Sequence, residues 1–128
     1  MVEITFDRVL LITAEARNAS PEEVEPTIDR SKVEAAQAAA FGGAGEMVLY
    51  PEPVGRAAVF CAEFNRLQPL EEDNKEVAVS CLLELLRGAE WMGFNASRDE
   101  IAAKLDELDA GTLAVPDFVH WVRTEVRP

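Results

Sequence analysis

The sequence predicts an all-α fold, a compact bundle of about six helices with one short extended flap, and three observations carry that expectation. Apolar residues recur at helical spacing through the long segments, as Val77, Cys81 and Leu85 do. Ser20-Pro21-Glu22-Glu23, Ser31-Lys32-Val33-Glu34 and Ser97-Arg98-Asp99-Glu100 each carry the capping-box pattern that opens a helix. Only one stretch, around Met47-Val48-Leu49-Tyr50, reads as extended, lying between a glycine cluster and Pro51. At 128 residues the chain has room for a single domain, 1–128, because domains run to about 100 to 200 residues.

The elements follow in chain order. Val9, Leu10 and Ile12 place a first helix over 6–17, closed by Asn18-Ala19-Ser20. Ser20 and Pro21 then open a short turn, which Pro26 ends. The Ser31 box leads into the alanine-rich run 35–41, stopped by Gly42-Gly43, a second helix with a small, close-packing face. Segment 52–67 is apolar on nearly every side, at Ala57, Ala58, Val59, Phe60, Cys61, Ala62 and Phe64, the pattern of a helix enclosed by others. Segment 74–87 is a second core helix, and the two form a hairpin at the centre of the fold. The Ser97 box opens a helix with Ile101, Leu105 and Leu108 inward and its acidic residues mostly outward, ended by Gly111. Pro116 starts a last helix that buries Phe118, Val119 and Val122, with Trp121 at the side.

Composition narrows the function. Hydrophobic residues make up 48% and charged residues 28%, the ordinary globular mix. Lys plus Arg is 12 against 24 for Asp plus Glu, a net charge of -12. Such a field repels phosphate backbones and anionic lipid, so no nucleic-acid or membrane partner is expected, whereas a protein partner is. Cys61 and Cys81 lie in apolar helical stretches as small buried hydrophobes, and the start of the chain lacks a signal-peptide pattern. Both features fit the cytoplasm.

Few residues are placed for chemistry. His120, the only histidine, has neither a second imidazole nor a cysteine at ligand spacing, so no zinc site is expected. Gly42-Gly43-Ala44-Gly45 lacks the preceding strand and the following Gly-Lys-Ser/Thr of a phosphate loop, and reads as a hinge. The informative segment is the connection between the core helices, Leu67-Gln68-Pro69-Leu70-Glu71-Glu72-Asp73-Asn74-Lys75-Glu76. A tight loop entering a helix exposes backbone N–H groups and the positive end of the helix dipole, a natural anion site. Here carboxylates fill it, and Asp73 with Glu76 three residues on is expected to form an acidic relative of the capping box.

This segment resembles the Fic/Doc family, whose pattern HPFxDGNKR lies between two central helices. Pro69, Asn74 and Lys75 are identical to it. Gln68 stands at the family's histidine, Leu70 at its phenylalanine, Glu72 at the aspartate associated with magnesium, Asp73 at its small residue and Glu76 at its arginine. The stretch through Met47, Val48, Leu49 and Tyr50 looks like the flap that precedes the first core helix in Doc-like proteins, where it aligns an extended target segment. The resemblance covers about residues 4–126. It implies a compact all-α fold, magnesium with ATP or GTP as cofactors, and transfer of AMP or phosphate to a protein hydroxyl, with a toxin–antitoxin setting in the Doc branch.

The departures bear on activity. In the family the histidine is the general base; an amide such as Gln68 cannot take that proton, and losing general-base catalysis costs about 100- to 10,000-fold. Asp73 and Glu76 put negative charge where the family receives phosphates, leaving Lys75 to offset both. The leading expectation is therefore a catalytically silent Fic/Doc-like protein that binds a protein partner, with no cofactor. The alternatives are an active transferase in which Glu71, Glu72 and Asp73 hold a divalent ion, and an unrelated helical protein whose acidic loop only caps a helix.

Overall fold

The computed structural model describes residues 3–42, 48–89 and 93–127, and the fold is all-α. The first helix, α1 (Phe6–Ala16), starts at Thr5, whose hydroxyl accepts the Arg8 N–H at 3.1 Å. A single turn, α2 (Pro21–Val24), carries the capping box between Ser20 and Glu23 and runs into a 3-10 turn at Glu25–Thr27. Next comes α3 (Arg30–Phe41), whose cap is Asp29 and not Ser31. The Asp29 carboxylate accepts from Lys32 N at 3.3 Å and from the Ser31 hydroxyl at 2.6 Å, and the latter bond holds it below the usual carboxylate range. The cap lies earlier than the serine pattern predicts because the chain is anchored there: Ile28 is buried, and the Asp29 N–H donates to the Pro69 carbonyl at 2.8 Å.

The hairpin at the centre is α4 (Pro53–Leu67) and α5 (Asn74–Gly88), with α6 (Arg98–Ala110) and α7 (Val115–Glu125) closing one side. Helix α4 packs against α3, α5, α6 and α7. Its small residues Ala57 and Ala58 are fully buried and let neighbouring backbones approach, while Phe60 sits between Phe41 and Phe64 with ring centroids 5.6 and 5.8 Å away. Cys61 and Cys81 are both free and buried, and desolvation pushes both thiols up. That is the behaviour of packing residues and not of nucleophiles. Helix α6 starts at the Ser97–Glu100 capping box and stops at Gly111, whose φ of 77° is the left-handed conformation glycine supplies at helix ends. No helix among the described residues is long and apolar enough to cross a membrane.

Two extended pieces pair where the sequence shows none. Strand β1 (Gly93–Phe94) runs antiparallel to β2 (Val126–Arg127), with Phe94 opposite Val126, and Phe94 meets the Trp121 ring edge-on at 5.9 Å. Two residues are too few to show strand alternation, so the pair is set by the packing of α6 and α7 between them and not by a local signal. Of the predicted flap, Met47 lies outside the described residues. Residues 48–50 carry no strand pairing; Leu49 is 76% exposed, and Tyr50 leans on the core with the Arg123 guanidinium 5.6 Å from its ring centre.

Candidate functional site

The α4–α5 connection is a clasp built by two amides, Gln68 and Asn74. Helix α4 ends at Gln68 in the left-handed conformation (φ 53°, ψ 59°), with its N–H returning to the Phe64 carbonyl at 3.2 Å. The Gln68 side chain folds back, Nε2 donating to the Asn65 carbonyl at 2.6 Å. Asn74, the first residue of α5, closes the loop from the other end. Its Oδ1 accepts the Leu70 N–H at 2.8 Å, while Nδ2 donates to the Leu70 carbonyl at 2.9 Å and to Gln68 Oε1 at 3.2 Å. Leu70 plugs into the core, and the Pro69 carbonyl holds the start of α3. Gln68, Pro69, Leu70 and Asn74 thus all have defined work in shaping the loop.

Asp73 stands at the α5 cap position but does not cap. Its backbone is left-handed (φ 65°, ψ 23°), and no side-chain capping bond forms. An N-cap carboxylate needs an extended backbone to fold back on the first-turn N–H groups, so the expected Asp73–Glu76 box is absent. That conformation is the natural ground of glycine and costs a residue with a Cβ about 1 kcal/mol. Glu71, Glu72, Asp73 and Glu76 all point to solvent. Glu72 is drawn toward α1, where Arg17 Nη2 reaches its carboxylate at 3.1 Å beside a depression of about 430 Å³. Among the described residues no group of three or more His, Cys, Asp or Glu side chains converges as a metal site, so Glu71, Glu72 and Asp73 do not form the predicted oxygen cluster.

Lys75, the only cation of the loop, is engaged by α6. Its Nζ meets Asp106 Oδ1 at 2.6 Å and Asp109 Oδ2 at 3.3 Å, and the bond to Asp106 is the main reason its pKa lies above the usual lysine value. Asp109 is shared: its Oδ1 accepts from Asn65 Nδ2 at 2.9 Å. The acidic α6 face is solvated as expected, and two of its exposed carboxylates also reach the hairpin lysine. Asn65 escaped the sequence reading. It is 2% exposed, one turn beyond Cys61 on the buried side of α4, and a lone amide on an apolar helical face is the signal that could have found it. His120 is exposed on α7.

The loop in this state offers carboxylates outward, no proton acceptor at the Gln68 position other than an amide, and a lysine committed to two aspartates. No family model, curated protein or solved structure matches the chain.

Proposed function

We propose that the chain is a degenerate, catalytically silent relative of the Fic/Doc family, acting in the cytoplasm as a protein-binding or regulatory module. The observation that carries this reading is the commitment of Lys75 to Asp106 and Asp109. In an active transferase drawing on magnesium with ATP or GTP, that lysine would face phosphate. Here it faces two carboxylates, and Asp73 and Glu76 add like charge around it. The left-handed backbone at Asp73 is in keeping with the resemblance, since the family carries a small residue at that position and Asp is among the few others that enter this conformation.

The partner this reading favours is a protein. The net charge of -12 suits a surface with basic residues, and Leu49, exposed beside Tyr50 in the segment matched to the family flap, offers an apolar contact. A toxin–antitoxin setting rests on the resemblance alone.

The test is group transfer. Purified chain is mixed with a whole-cell protein extract, magnesium, and ATP or GTP labelled on the α or the γ phosphate. The expected result is no protein labelling above that of heat-inactivated chain. Labelling that depends on the folded chain overturns the proposal in favour of an active transferase.

A further inference from the structure

The geometry points to a second site, the cleft where α4, α6 and α7 meet, as a receptor for a cationic aliphatic side chain, a lysine of a partner segment. The cleft has a volume of about 410 Å³, within the range of small-ligand sites. Ala62, Leu108, Leu113 and Val115 give it apolar walls, and Asn65 and Asp109 are polar groups on it besides the Glu63–Arg66 pair. The inference shares the Lys75 ion pairs with the proposed function but does not require that the loop be related to a nucleotide site.

Three features select the ligand. First, negative charge is in excess: Lys75 serves both Asp106 and Asp109, and Asp109, the one that lines the cleft, is the more distant at 3.3 Å. The other ion pair on the cleft is neutral, since Arg66 donates to Glu63 through Nε at 3.1 Å and Nη2 at 2.6 Å. Second, Asn65 is 2% exposed, donates to Asp109 through Nδ2, and has an Oδ1 that no donor among the described residues reaches. A buried acceptor in native proteins is nearly always paired. Third, the walls are aliphatic, which suits a methylene stem better than a planar or polar ligand. A primary ammonium brings three donors and no acceptor, and so matches the Asp109 carboxylate and one orphan carbonyl oxygen, neither of which a carboxylate or phosphate ligand could pair. Oδ1 is covered in the free chain, so the ammonium reaches it by a side-chain rotation in the cleft wall.

The experiment is an NMR titration of the full chain with Nα-acetyl-lysine-N-methylamide, beside the norleucine analogue of the same shape and no charge, each to roughly 50 mM because one side chain binds at millimolar strength at best. The Asn65 side-chain amide and the Leu113 and Val115 methyl resonances are expected to shift saturably with the lysine probe, and about tenfold more weakly with norleucine. Asp109→Asn keeps an oxygen for Asn65 while removing the charge, and is expected to weaken lysine binding about tenfold. Leu113→Trp, which fills the cleft without touching the charge cluster, is expected to abolish it, so a folding defect in one variant does not decide the outcome. No saturable shift, equal response to the two probes, or unchanged binding in both variants overturns the assignment.

Discussion

Replacing Asn74 with alanine is expected to lower stability by about 3 kcal/mol, a drop in Tm on the order of 10 °C for a chain of this size. The side chain is the bolt of the α4–α5 loop: it satisfies both the N–H and the carbonyl of buried Leu70 and steadies Gln68 Oε1. Each buried backbone group left unpaired costs about 1–3 kcal/mol. Two such groups, less some relaxation, give the figure. Asn74→Asp keeps only the acceptor and sets a carboxylate against the Leu70 carbonyl, so it is expected to fail as a rescue. Thermal unfolding followed by circular dichroism checks both variants. A loss below about 1 kcal/mol for Asn74→Ala would mean that the loop is held elsewhere.

Phe60→Ala is expected to cost about 3–5 kcal/mol, the range for emptying an aromatic site in a closed core. Phe60 has no exposed surface, and its ring is the middle member of a run from Phe41 on α3 to Phe64 on α4 itself. Its removal opens a cavity at the one helix that touches α3, α5, α6 and α7 together, so little of the void can be closed by a local shift. Phe60→Leu, which leaves a smaller void, is expected to recover more than half of the loss. Denaturant unfolding measures both, with unchanged m-values as the sign that the native state stays intact.

What the sequence makes legible follows the range of the interactions involved. The starts of α2 and α6 are readable because their caps are made three residues apart, Ser20 with Glu23 and Ser97 with Glu100. The enclosure of α4 is readable because the apolar residues run round the whole helix. The start of α3 is not, because Asp29 wins over Ser31 through a bond to Pro69, forty residues away in the chain. The β1–β2 pair is hidden for the same reason, being made by the two ends of the closing segment.

At the loop, residue types suffice to locate the segment but not its mechanics. Asp73 resembles a cap in the sequence, and only the left-handed backbone shows that it is not one. Lys75 reads as the one cation able to meet an anion. Its partners come from a helix thirty residues on, where Asp106 and Asp109 are exposed as the sequence predicts and nothing local signals the pairing. Asn65 leaves only the faint signal of a lone amide on an apolar helical face, and its tie from α4 to α6 is made with a residue far along the chain.

We propose that this loop is related to a nucleotide site and is closed by its own charges. Calorimetric titration of the natural chain and of an Asp73→Gly, Glu76→Arg double variant with magnesium–ATP and magnesium–GTP tests it most directly. The natural chain is expected to give no binding heat and the variant to bind measurably, because a carboxylate in the left-handed position becomes glycine and a repelling carboxylate becomes a guanidinium. Micromolar binding by the natural chain, or none by a variant that folds normally, would contradict it.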